Sequence, residues 1–244
     1  MAIPRHMLLF ALLCTPTSCV RVISTQSDWA LEEQLERVPI VKIFVKRVPQ
    51  GEVQKYGLMT GFPFGDGILG VHHRDDIAEV QIDGQPVKVL ARSRTDEPYD
   101  DWMFLEKPSS YSSDPIPGGS VEAGTPVWVV GYPMDGIRSL PDTRKRQRMR
   151  GSVVDCTNCP RHTIFVLPEH PARDKDHLEG FSGSPTLYLD DSGRLRVCGV
   201  CVAWRIQDVT IRVLGIPLPY GRKTLLVIRR IPSATELREG RATR

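Results

Sequence analysis

The feature that most narrows the fold is how the apolar residues are distributed. From residue 38 onward they come in short, β-branched runs cut by Gly, Pro and Asp. VPIVKIFVKRV, GEVQKYGLMTGFPFG, GILGV, IAEVQIDGQPVKVLAR and DWMFLEK fill the first half. KPSSYSSDPIPGGSV, too rich in Ser, Pro and Gly for a helix or a central strand, then interrupts the pattern. TPVWVVGYP, RGSVVDC, HTIFVLP, SPTLYLDD, RLRVCGVCVAW and KTLLVIRRI resume it. About six runs on each side of one linker predict an all-β chain of two small barrels packed together. Asp83-Gly84 between alternating runs predicts a hairpin, and 191–193 a second turn. The expected order is a leader over 1–19, a segment with a short helix over 20–37, a first barrel over 38–110, a linker over 111–121, a second barrel over 122–231 and a tail over 232–244. With 244 residues, of which 41% are hydrophobic, the chain is long enough to bury a sizeable core.

The ends read differently. MAIPRHMLLFALLCTPTSC carries Arg5 and His6, an apolar run from Met7 to Cys14, then small or polar residues to Cys19, the pattern of a secretory signal. Ser18-Cys19 also resembles the end of a lipoprotein box, so lipidation of Cys19 stays open beside plain cleavage or a retained anchor; it is the one expected link to a membrane. The apolar run is far short of the roughly 20 residues that span a bilayer. SDWALEEQLERV has Ser27 as a capping residue, acidic Asp28 and Leu31 and Leu35 at helical spacing, predicting a short leading helix. ATELREGRATR predicts one or two terminal helical turns.

Lys and Arg exceed Asp and Glu by only 3, which excludes nucleic acid as the main partner. The basic run with Arg138, Arg144, Lys145, Arg146, Arg148 and Arg150 is expected to be a solvated loop. Outside the leader stand four cysteines, Cys156 and Cys159 in CTNC and Cys198 and Cys201 in CGVC. An exported setting favours disulfides, leaving free thiols and a zinc site as alternatives. In a strand, Cys198 and Cys201 would point to opposite faces, which argues against one shared metal.

The chemistry concentrates in EGFSGSP over 179–185. A serine flanked by glycines can sit on a tight turn, its hydroxyl exposed and successive backbone N–H groups converging on one point. The Ser182 and Gly180 amides would then form an oxyanion hole.

Here the chain resembles the trypsin-like serine proteases, more closely their bacterial Deg/HtrA-like branch, whose nucleophile stands in G-N-S-G-G-P. Phe181 and Ser184 depart from that pattern. DWMFLEK over 101–107 is similar to the family's D-I-A-L-L-K block, AGTPVWVVGYP over 123–133 to its G-x-x-V-x-x-x-G-Y-P strand, RGSVV over 150–154 to the G-x-V that follows, and VCGV over 197–200 to the strand after the nucleophile. GILGVHH over 67–73 resembles the approach to the catalytic histidine, with Gly70 in place of a threonine. The likeness covers about residues 38 to 230.

The resemblance implies two six-stranded antiparallel Greek-key barrels and a serine-type endopeptidase acting on exported or extracellular proteins. His73 would be the base, with His72 as the alternative, Asp101 its orienting partner and Ser182 the nucleophile, needing no metal or cofactor. Asp100 is expected to be a solvated neighbour. Asp176 would sit in the substrate pocket, with Cys201 and Ala203 on its wall, and no peptide-binding PDZ domain is expected after Arg230. The competing expectation is a catalytically silent homologue that uses the barrels for binding or scaffolding.

Overall fold

The computed structural model describes residues 24–48, 56–73, 77–93, 99–133, 145–156, 160–170, 180–213 and 216–241. The chain forms two compact units, one ending at Val38 and one beginning at Pro39. The first holds helix α1 (Ser24–Arg37), where Arg37 pairs with Glu33 one turn back. This helix begins three residues before the expected cap at Ser27, at a serine equally suited to a helix start. Among the described residues no helix is long and apolar enough to cross a membrane. The expected leader, with Cys14 and Cys19, lies outside the described residues.

The second unit is built from two antiparallel sheets. The first contains β1 (Val41–Arg47), β2 (Tyr56–Phe64), β3 (Gly67–Gly70), β4 (Ile77–Ile82), β5 (Gln85–Pro86), β6 (Val89–Arg92) and β7 (Met103–Glu106), in the order β5-β4-β1-β2-β3-β7-β6. In β1 the alternation read from the sequence appears as burial: Val41, Ile43 and Val45 are buried, and the residues between them partly exposed. Asp83 and Gly84 both take positive φ, 48° and 79°, in the tight turn that pairs Ile82 with Gln85. This sheet is a half-barrel of seven strands rather than a closed six-stranded barrel. At one edge β5 is two residues long and ends in a proline, which has no N–H to extend the ladder.

The second sheet closes. Strands β8 (Pro126–Gly131), β9 (Gln147–Val154), β10 (Thr163–Pro168), β11 (Pro185–Leu189), β12 (Leu195–Val213) and β13 (Ile216–Arg230) form a barrel in the order β10-β13-β12-β11-β8-β9. Val127, Val129, Ile164, Val166, Leu226 and Ile228 fill it, joined by Phe181 from the serine turn. The architecture is therefore the all-β, two-sheet arrangement implied by the trypsin-like motifs. The linker runs between the sheets, bound to both. The Ile116 amide donates to the Pro63 carbonyl at 3.3 Å, the Gly119 amide to Val197 O at 3.0 Å, and the Val197 amide to Pro117 O at 2.9 Å.

The cysteines of β12 correct one expectation. Cys198 and Cys201 are both buried in the same barrel core, as free thiols. The cause is a bulge: Thr186 pairs with Gly199 but Leu187 with Val197, so Cys198 is an extra residue and the alternation slips by one. Burial pushes both thiols up to about 12, so they stay protonated and are poor metal ligands. The Cys198 thiol donates to Thr186 O at 3.3 Å. Cys156 is disulfide-bonded; Cys159 lies outside the described residues.

Arg229, at the end of β13, is fully buried. Its Nε lies 2.8 Å from Asp100 Oδ1, and its Nη2 pairs with Glu236 in helix α2 (Ala234–Arg241). Glu236 also closes a capping box: its carboxylate accepts from the Ser233 amide at 2.7 Å, and its own amide donates to Ser233 Oγ at 3.2 Å. Asp100 is thus not solvated, as the sequence suggested, but buried against a guanidinium from the other sheet. Removing Asp100 leaves the buried guanidinium with one of its two carboxylates, so Asp100→Ala should cost roughly 3 kcal/mol of stability in urea denaturation. The double variant Asp100→Ala/Arg229→Met should recover most of that loss. A single variant as stable as the wild type would show that Arg229 does not depend on Asp100.

Candidate active site

Asp101 follows Asp100 on the stretch leading into β7, and the two carboxylates meet different partners. Its carboxylate is turned to the segment just past β3. Oδ1 accepts from the His72 and His73 amides, both at 2.9 Å, and Oδ2 accepts from the His73 amide at 3.0 Å. The His73 ring then faces the same carboxylate, with Nδ1 3.4 Å from Oδ2. His73 reaches this position with φ of 55°, a left-handed conformation that the double grip of Asp101 on the local amides holds in place. Burial opposes the Asp101 charge, but the His73 ring and the two amides outweigh it and hold its pKa below the ordinary 3.8.

The two histidines, left open by the sequence, have different surroundings. The His72 side chain is nearly buried, with Nε2 3.2 Å from Arg92 Nη1. It lines a cavity on the β6 side with Arg92 and Gly240, away from the residues around Asp101 and His73. His73 lines a separate cavity of about 210 Å³ with Tyr99, Asp101, Val202 and Ala203.

Gly70, where the family carries threonine, lies close under the end of the Ile43 side chain. A Cβ there would meet Ile43 Cδ1 at 2.8 Å. The Phe181 ring fills the barrel core.

Ser182 lies on the turn entering β11, between Gly180 with φ of 94° and Gly183 with φ of 84°. The turn is held from both sheets. Thr60 in β2 donates its amide to Ser182 O at 2.9 Å. Cys201 in β12 accepts from the Gly183 amide at 2.7 Å and donates its own to Ser184 O at 2.9 Å. Gly183 is pressed so closely on the first sheet that a Cβ would sit 1.9 Å from Thr60 O and 3.5 Å from the Val71 amide. Val71 immediately precedes the two histidines, so the serine turn is docked on the segment that carries them. The Gly183 and Ser184 amides are committed, the latter to Phe181 O at 2.9 Å.

The residues expected in the substrate pocket are placed as follows. Ala203 lines the cavity beside His73, together with Val202. Cys201 does not: its thiol is in the barrel core, and it serves the serine turn through its backbone. A second bulge explains the change. Cys201 pairs with Ile228 and Ala203 with Val227, so Val202 is the extra residue that redirects the strand at the cavity. Asp176 lies outside the described residues. Tyr99 was missed by sequence reasoning; its φ of 65° and edge-on packing against Phe165, at 6.5 Å between ring centroids, fix it at the rim. Nothing in its sequence context marks it.

No family model matches the chain, and no curated protein matches it. Among solved structures it is similar to the Rv3671c protease from M. tuberculosis in its active form, at 16% identity and a TM-score of 0.49, covering 90% of this chain and 84% of that one. It is similar also to the inactive form of Rv3671c protease, at 17% identity and a TM-score of 0.48, covering 90% and 92%. At this level the likeness adds no weight to any residue's role.

Two outcomes follow from the geometry. Gly183→Ala should destabilise the chain by roughly 1–3 kcal/mol in thermal or urea unfolding, because φ is positive and Thr60 O occupies the new atom's place; an unchanged melting curve would contradict the tight docking. The Asp101 carboxylate has a lowered folded pKa, so its contribution is fully present above 3.8 and is lost as pH falls through the lower folded value. Asp101→Asn should therefore flatten the acid limb of stability against pH, measured by denaturant midpoints; a limb as steep as that of the wild type would refute the assignment.

Proposed function

We propose that this chain is a serine endopeptidase that cleaves peptide bonds of exported or extracellular proteins through an acyl-enzyme. The observation that carries the reading is the ionised Asp101 carboxylate facing His73 Nδ1, with the serine turn docked one residue upstream of the histidines. In the proposed reaction His73 Nε2 takes the Ser182 hydroxyl proton as the oxygen attacks the scissile carbonyl carbon. The Gly180 and Ser182 amides stabilise the oxyanion of the tetrahedral intermediate. Its collapse breaks the C–N bond, and His73 returns the proton to the departing amine. Water, deprotonated by His73, then attacks the acyl-enzyme, releasing the acid and restoring Ser182. Asp101 keeps the imidazole in the tautomer that presents Nε2 and stabilises the imidazolium.

Protein or peptide substrates are the partners this chemistry requires. Export rests on the leader-like run over 1–19, with lipidation of Cys19 as one possible fate; intact mass of the mature protein distinguishes them. Cleavage after basic residues would follow from Asp176, and a peptide library reads it directly. The competing reading, a silent binding module, draws on the 3.4 Å between Nδ1 and Oδ2, longer than a formed hydrogen bond.

A fluorophosphonate probe separates the two. The wild type should be labelled at Ser182 and Ser182→Ala should not. His73→Ala should abolish peptidase activity while His72→Ala retains most of it, and Asp101→Asn should lower kcat by roughly 10⁴-fold. A folded wild type that resists the probe, with Ser182→Ala behaving identically in peptide hydrolysis, would leave the binding module as the function.

A further inference from the structure

We propose that Thr60 is a positioning residue of this site, its hydroxyl setting the turn that carries the oxyanion amides; the role rests on the hydrolase reading above. Thr60 is completely buried in β2, on the sheet opposite the nucleophile. Three of its bonds converge on the site. Its amide donates to Ser182 O at 2.9 Å. Its Oγ1 donates to Gly180 O at 3.2 Å and accepts from the Tyr132 amide at 3.0 Å. The side chain and backbone of one residue thus grip both Gly180 and Ser182, whose amides are assigned to the oxyanion.

The hydroxyl has both its donor and its acceptor role filled, which fixes its rotamer. The acceptor role ties it to the end of β8, so the turn is referenced to a second strand of its own barrel. Gly131 makes that approach possible: a Cβ there would meet Ser184 Oγ at 2.0 Å and Thr60 Oγ1 at 3.0 Å. Gly180 has φ of 94°, and this one residue joins the held carbonyl to the amide assigned to the oxyanion. Holding that carbonyl therefore orients the residue that supplies one oxyanion donor. Oxyanion stabilisation depends steeply on donor placement. Thr60 touches no reacting atom in this scheme and acts through the turn.

The test compares Thr60→Val, which keeps the shape and removes the hydroxyl, with Thr60→Ser, which keeps the hydroxyl. Both retain the backbone bond to Ser182, and circular dichroism melting checks that both fold. Thr60→Val should lower kcat by roughly 10²-fold with little change in KM, as displacement of reacting groups does. Affinity for a peptide boronate, whose tetrahedral adduct places an oxygen in the hole, should fall in proportion to kcat/KM. Amide exchange at Tyr132 should rise in the same variant. Thr60→Ser should restore kcat, boronate affinity and exchange to near the wild type. If folded Thr60→Val keeps kcat and boronate affinity while the wild type is active, the positioning role is overturned and the hydrolase reading stands. A Thr60→Ser variant as impaired as Thr60→Val also overturns it. A wild type inert to fluorophosphonate and boronate sinks both together.

Discussion

The structure turns on a guanidinium that has no access to water. Arg229 leaves the closed barrel and meets Asp100 on the other sheet, so a charge from each side is buried in one contact. A buried pair of this kind adds little net stability compared with a hydrophobic packing, but it tolerates little displacement, because Arg229 would be left with only the partly exposed Glu236 carboxylate to balance its charge. It therefore works as a locating pin. The residue after Asp100 is Asp101, whose side chain meets other partners, the histidine amides. One pair of adjacent carboxylates thus faces two ways, the first fixing the sheets and the second facing the cleft.

The serine turn is placed by the same logic with neutral groups. Its carbonyls and amides are shared between Thr60 in the half-barrel and Cys201 in the barrel, so neither sheet alone defines it. The close approach needs glycine at 183, where any side chain would collide with Thr60 O. Phe181, between the two positive-φ glycines' ends of the turn, sinks into the barrel core and anchors it from below. What looked like a departure from the family pattern is a packing residue.

Much of this was legible because it is local. The turn at Asp83-Gly84, the linker and the alternating runs follow from backbone preferences that a few neighbouring residues decide. The serine turn shows itself through its glycines, and the pairing of Asp101 with the histidine segment through the family resemblance. What was hidden depends on partners far along the chain. Asp100 looked solvated because Arg229 is 129 residues away, and no local pattern announces that one arginine of an exposed-looking Arg-Arg pair is the largest fully buried side chain among the described residues. The strand phase failed at Cys198 and again at Val202 for a different reason. A bulge adds one residue without a sequence signature, and every inside–outside assignment beyond it is inverted. That is how Cys201 moved from an expected pocket wall to the core.

Strands β12 and β13 are 19 and 15 residues long and stay paired to their tips, whereas β11 accompanies β12 only over Leu195–Val200. Past the barrel they continue as a ribbon two strands wide, with no further strand on either edge among the described residues. Such edges ordinarily recruit strands from other molecules. Pro217 and Pro219 interrupt β13 in this ribbon, opposite Arg212 and Thr210. Each deletes a donor, so an incoming chain would find the ladder broken at two alternate rungs. The β13 edge of the extension is in this way guarded against self-templated aggregation by its own backbone chemistry.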